Sequence, residues 1–158
     1  MKEIILTQGK VVQVDDEDFE YLNQFKWHAI KCHKTFYAAK YFNSNKNCRK
    51  TFMHRLIMNI PQGLENDHID HDGLNNQKNN LRICTKDQNN RNRTPKGMSK
   101  YLGVYFDFYK NKKYINASIR TNGKKIYLGR FKTEEDAAKK YDKAALYFHG
   151  EFANLNFK

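Results

Sequence analysis

Cysteine is scarce in this chain of 158 residues: only Cys32, Cys48 and Cys84 occur. Three is an odd number and no C-x-x-C pair is present, which argues against both a disulfide framework and a zinc ribbon. A reduced, cytosolic protein is expected. Long apolar runs are also missing. The opening "MKEIILTQGK" has no apolar core of signal-peptide length, and no segment approaches a membrane span, so the protein is expected to stay inside the cell that makes it. Acidic residues are outnumbered: 17 Asp and Glu stand against 29 Lys and Arg, for a formal charge of +12. There is no internal repeat and no low-complexity tract.

The basic excess is shared between residues 1–100 and 101–158, so both parts are expected to face the same polyanion. Nucleic acid fits this charge better than an acidic small molecule does. Charge of this kind can also serve solubility alone. An aromatic content of 14% beside so many lysines favours a surface that lies against nucleic acid.

The length suits one ordinary domain or two small ones. "GKVVQV" alternates like a strand, and the acidic cluster Asp15 to Asp18 is suited to starting a short helix. Phe19, Leu22, Phe25 and Trp27 supply apolar contacts. "TFYAAKYF" (35–42) reads as β-rich, and "KTFMHRLIM" (50–58) as strand or helix. In "ICTKDQNNRNR", Thr85 followed three residues later by Gln88 is a capping box, so a helix should begin near Lys86 with Asn89 in its early turns. "TPKGMSK" reads as a linker and places a boundary at 95–100. Beyond it, "YLGVYFDF", "KKYINASIRT" and "KKIYLGRF" are strand-like, with a hairpin signal at Asn122-Gly123. "TEEDAAKKYDKAALYFHG" then puts Ala137, Ala138, Tyr141, Ala144, Ala145 and Phe148 on one helical face, with Thr133 as cap and Gly150 after its end.

Set in this basic chain, "NDHIDHDGLNNQKNNLRICTKDQNN" (66–90) is acidic and crowded with asparagine. Hydrolysing a phosphodiester takes a base for water and a cation for the developing charge. Asp67 is a hard oxygen ligand, His68 a base titrating near neutrality, and Asn89 a second oxygen ligand from the following helix. Asn80 is placed to hold the imidazole. Other readings of the stretch exist. As a calcium loop with Gly73 sixth, it would begin at His68 and end at Asn79 rather than Glu. His68-x-x-His71 could start a zinc site but has no companion pair. An Asp/Asn-rich turn of purely structural use is the third. His54 reads equally as scaffold or DNA contact, and His71 as exposed loop.

"DHIDHDGLNNQKNNLRICTKDQNN", preceded by "MHRLIMNIPQGLE", resembles the HNH nuclease motif of phage and intron homing endonucleases over roughly residues 50–93. The upstream "LTQGKVVQVDDEDFEYLNQFKW" resembles the N-terminal segment of the same group. The resemblance implies an α+β, ββα-metal nuclease module over residues 1–94. In it, Asp67 and Asn89 hold a magnesium-type ion, His68 is the general base and Asn80 orients it. Oxygen ligands favour Mg²⁺ or Mn²⁺ over softer ions. Arg91 and Arg93 would hold the DNA backbone beside the cut.

Residues 101–157, "YLGVYF…INASIR…GKKIYLGRFKTEEDAAKKYDKAALYFHGEFANLNF", resemble the apetala-type, or ethylene-response-factor, DNA-binding domain. That family places the outer face of a three-stranded antiparallel sheet in the major groove and packs one helix behind it. Ile115, Ala117 and Ile119 should then face the helix. Tyr105 on the first strand, Tyr114, Asn116, Ser118 and Arg120 on the second, and Lys125 and Tyr127 on the third, are the expected readers. Ile115 departs from the family's usual core tryptophan, and Tyr105 and Asp107 from its frequent arginines.

Taken together, these readings describe a site-directed, homing-type DNA endonuclease acting at the host nucleoid. One catalytic constellation per chain implies nicking by a monomer, with a second protomer needed to cut both strands. The rival is a non-catalytic DNA-binding regulator that keeps a nuclease remnant as structure.

Overall fold

The computed structural model describes residues 1–32, 34–44 and 47–157, without the side chains of residues 43, 44, 47 and 48. The reading of Cys48 as a free thiol therefore lies outside the described residues. The chain divides into two compact units, Met1–Asn89 and Asn90–Lys158. The architecture is mixed α and β, with several small sheets and few helices. Among the described residues no helix is long and apolar enough to cross a membrane.

The first unit begins with a hairpin of β1 (Lys2–Ile5) and β2 (Val11–Val14), followed by α1 (Asp16–Leu22). A three-stranded antiparallel sheet follows, made of β3 (His28–Cys32), β4 (Thr35–Ser44) and β5 (Asn47–Phe52), with β4 in the middle. α2 (Met53–Ile57) continues directly from β5, so the ambiguous stretch 50–58 is strand and then helix. β6 (Glu65–His68) pairs antiparallel with β7 (Leu81–Cys84), and α3 (Lys86–Asn89) closes the unit. Its core joins Ile4, Leu6, Val12, Val14, Leu22, Trp27, Ala38 and Met53, with Phe19 and Phe25 packed against them. Trp27 is held in place because its indole Nε1 donates to the Leu22 carbonyl at 2.8 Å, which satisfies the one polar atom the ring carries into the core.

The acidic cluster is used differently from the expected helix cap. Asp15 precedes α1, but its side chain makes no capping bond. Its carboxylate instead accepts from the Lys78 backbone N at 2.7 Å and from Gln77 Nε2 at 3.4 Å. Lys78 in turn pairs with Glu17 and with Asp18. Gln13 N donates to Leu74 O at 2.9 Å, and Asn76 N donates to Gln13 O at 2.8 Å. The N-terminal hairpin and helix thus hold the asparagine-rich loop, a long-range pairing that no local pattern could announce.

The second unit is a three-stranded antiparallel sheet of β8 (Val104–Tyr109), β9 (Lys112–Thr121) and β10 (Lys124–Phe131), with β9 central. α4 (Glu134–His149) packs across one face. Asn122 and Gly123 both have positive φ, as a two-residue type I′ hairpin requires, and Lys110 and Asn111 make a second such turn that composition alone does not suggest. Thr133 caps α4 by accepting from Asp136 N at 3.1 Å. Ala137, Ala138, Tyr141 and Ala145 are buried against Val104, Ala117 and Ile119, whereas Phe148 is 37% exposed. The buried positions of that helix also include Asp142, which accepts from Asn156 N, Asn156 Nδ2 and Phe157 N and so ties down the C-terminal segment. Within the expected linker, Ser99 is buried and donates to Glu134 Oε2 at 2.7 Å.

Candidate active site

Asp67 and His68 are the last two residues of β6 and both are buried, at 4% and 6% exposure. In register, Asp67 faces Arg82 on β7, and Arg82 Nε and Nη2 both donate to Asp67 Oδ2, at 2.8 and 2.6 Å. A buried carboxylate needs such a partner. Glu65 leaves β6 two residues earlier, on the same side of the strand as Asp67. Its Oε2 accepts from Asn89 Nδ2 at 2.7 Å. Asn89 closes α3, a helix of four residues rather than one in which it occupies an early turn. The capping box is formed in both directions, Gln88 N to Thr85 Oγ1 at 3.3 Å and Thr85 N to Gln88 Oε1 at 2.8 Å. Cys84, opposite Glu65, has its thiol pushed up to about 11 by burial, with the charges of Asp67 and Glu65 adding to the effect and Arg82 opposing it.

Tyr37, His54 and Asn76 surround His68. The Tyr37 and His54 rings meet its imidazole edge to face, at centroid distances of 5.5 and 5.1 Å. Burial lowers the His68 pKa, opposed by a hydrogen bond with the Asn76 side chain and by the charges of Asp70, Asp67 and Asp72. The ring is therefore neutral at physiological pH, the state in which an imidazole can take up a proton. Asn76 is completely buried.

Asn80 does not hold the imidazole. Its Nδ2 donates to Asp70 Oδ1 and to the Asn75 carbonyl, each at 2.9 Å, and its Oδ1 accepts from Asp70 N at 3.1 Å. It clamps the loop that follows His68. Asp70 Oδ1 also accepts from Asp72 N at 2.8 Å, Asp70 Oδ2 from Asn75 Nδ2 at 2.8 Å, and Asp72 Oδ1 from Leu74 N at 2.9 Å. Partial burial works the other way, but the hydrogen bonds from Asp72, Asn75 and Asn80 hold the Asp70 carboxyl below its usual range. The acid and amide of residues 70–80 are largely the internal frame of a tight loop. His71 is exposed, with φ of 68°.

Among the described residues, no three His, Cys, Asp or Glu side chains converge as a metal site. The two expected ligands are a carboxylate, Asp67, on β6 and a carboxamide, Asn89, on α3. By chemical type, hard oxygen donors suit a Mg²⁺-type ion, which takes few protein ligands and fills its shell with water and substrate phosphate.

In the second unit, Arg91 and Arg93 follow closely after α3, and the Arg93 carbonyl accepts from Asn154 Nδ2 at 2.9 Å. On the sheet, Arg120, Lys125 and Tyr127 are exposed and Tyr105, Tyr114 and Ser118 half-buried. Asn116 is the exception among the expected readers, at 1% exposure. Its Nδ2 donates to Asp107 Oδ2 at 2.9 Å and its Oδ1 accepts from the Tyr127 hydroxyl at 3.1 Å. It braces the three strands beneath longer side chains. Lys125 Nζ sits 4.1 Å from the Tyr105 ring centroid, and the Arg130 guanidinium 4.1 Å from that of Tyr114. Arg130 reaches this face because the register shifts between Tyr127 and Gly129, so that it pairs opposite Asn116. Simple alternation from Tyr127 would turn it the other way.

Two kinds of relative match the chain, one over most of its length and one over a small region. Over 144 residues, 87% of this chain, the sequence is 32% identical to an uncharacterized HNH endonuclease of Acanthamoeba polyphaga mimivirus, covering 74% of that protein. Over 59 residues it is 42% identical to APETALA2-like protein 2 of Oryza sativa subsp. japonica and to an AP2-like ethylene-responsive transcription factor of Arabidopsis thaliana. The chain spans 13% and 12% of the length of those two plant proteins. No family model matches the chain, and no solved structure does. Identity of this extent with the viral protein, across most of both chains, means that this chain belongs to the HNH endonucleases.

Proposed function

We propose that the chain is a metal-dependent DNA endonuclease of homing type, in which residues 1–94 cut and residues 101–158, joined through 95–100, supply the address. The observation that carries this reading is the buried His68 at the end of β6, next in the chain to a buried carboxylate that Arg82 engages. Asp67 and Asn89 would hold a Mg²⁺ or Mn²⁺ ion, which when bound supplies charge stabilisation to the phosphate and the leaving oxygen. His68 accepts the proton of the attacking water at its imidazole. Asp70 and Asp72, whose charges favour the protonated ring, stabilise the imidazolium that results. Asn80 acts on the base indirectly, by fixing the loop that leaves His68.

The exposed Arg120, Lys125 and Tyr127, with Tyr105, Tyr114 and Ser118, are proposed to read double-stranded DNA from the sheet. Arg91 and Arg93 are proposed to hold its backbone. A single site per chain handles one phosphodiester, so a monomer nicks. Supercoiled plasmid tests the reading: purified protein with Mg²⁺ should convert it to the open circle, and EDTA should stop the conversion. Binding without any conversion would favour a DNA-binding regulator.

A further inference from the structure

Glu65 was not among the residues that the sequence pointed to, yet it makes the 2.7 Å contact that anchors the Asn89 side chain. A carboxylate can only accept hydrogen bonds. Whatever way a carboxamide is drawn, the end turned to Glu65 must therefore be the NH₂, and Oδ1 must point away. Asn89 has little other freedom, since its backbone N donates to Thr85 O at 2.9 Å inside a capped turn. A half-turn about the last side-chain bond is the one motion that would exchange its oxygen for its nitrogen, and the two orientations are nearly equal in shape.

We propose that Glu65 is a positioning residue that fixes which atom Asn89 offers, holding Nδ2 so that Oδ1 is presented to a divalent cation. The inference rests on the proposed role of Asn89 as a ligand. It parallels the neighbouring arrangement in which Arg82 engages Asp67 Oδ2 from the facing strand. Each oxygen donor is thus oriented by a charged group of opposite bonding character, Arg82 for the acceptor and Glu65 for the donor end of the amide. Partners of this kind are worth about 10- to 100-fold in metal affinity when removed.

An aspartate at position 89 needs no such help, because it presents an oxygen whichever way it turns. That difference separates positioning from direct ligation. Mn²⁺ binding to the full-length protein without DNA, followed by electron paramagnetic resonance, should weaken about tenfold or more in Glu65→Ala. In the Asn89→Asp background the Glu65 contact becomes one between two carboxylates, which repel, so Glu65→Ala should not weaken binding there. Glu65→Gln, which keeps the volume but can offer either an acceptor or a donor, should fall between and covers the case in which the alanine variant does not fold. An equal loss in both backgrounds would make Glu65 a ligand and overturn the proposal, as would an unchanged Mn²⁺ affinity in Glu65→Ala. If the wild-type protein binds no Mn²⁺ and cuts in EDTA, the ligand reading of Asn89 fails and the proposal falls with it.

Discussion

The rings of His54 and His68 meet edge to face, their centroids 5.1 Å apart and their planes at 85°. His54 is also stacked on Phe52, at 5.4 Å and 7°, and lies edge-on to Tyr37. Burial, then the charges of His68 and Arg55, push its pKa down to about 3 from an ordinary 6.5. The folded protein therefore holds His54 neutral where the unfolded chain would protonate it. This contribution is complete above pH 6.5 and falls by up to about 1.4 kcal/mol per pH unit as the pH drops from there toward 3. Urea unfolding at pH 7 and pH 5 should show a marked loss for the wild type and a smaller one for His54→Phe. Equal losses would mean that His54 is not the group being protonated.

Gly73 packs without room for a side chain. A Cβ there would lie 2.4 Å from the Phe36 carbonyl oxygen and 2.6 Å from Tyr37 Cε1. One obstacle is backbone and the other is a ring in contact with His68. Gly73→Ala should cost about 1–3 kcal/mol of stability by overpacking and lower cleavage more than DNA binding. A variant with wild-type melting and turnover would show that the loop yields freely.

Asn80 uses both ends of its carboxamide on the loop after His68. Asn80→Ala leaves buried loop groups unsatisfied and should cost about 1–3 kcal/mol. Because the amide touches Asp70 and Asn75 rather than the imidazole, the loss should appear in thermal melting as well as in cleavage rate. Lost cleavage with unchanged melting would restore a direct catalytic role.

On the outer face of the second unit, Arg120 is exposed and Asn116 buried. Arg120→Ala should weaken binding to the preferred site by about 1–3 kcal/mol if the side chain reads a guanine, with melting unchanged. Asn116→Ala should lower melting, since it removes the partner of Asp107 and Tyr127. An equal loss on random DNA for Arg120→Ala would make it a phosphate contact.

Local patterns in the sequence carried the second unit well. Alternation placed Ala117 and Ile119 inside, and the spacing of Ala137, Ala138, Tyr141 and Ala145 gave the buried side of α4. Phe148 lies on the same expected stripe but is 37% exposed. Arg130 was missed because a bulge resets the period of two. In the first unit, residue type and spacing single out Asp67 and His68 as candidates, and both are buried at the end of β6. Their partners could not be found that way: Asp15 lies 63 residues from Lys78, and Glu65 lies 24 from Asn89. Arg82 left only a faint signal, a charge within the apolar "LRIC". β1 and β3 were not foreseen either: each is only four or five residues long and pairs with the next strand in the chain.

The central claim is that His68 is the base for a hydrolysis supported by a bound cation, and it is tested most directly by His68→Ala assayed for both steps. With Mg²⁺ and supercoiled plasmid, the wild type should nick and EDTA should stop it. His68→Ala should lose nicking by about 100-fold or more while binding DNA with unchanged affinity. Nicking by His68→Ala at the wild-type rate would contradict the account.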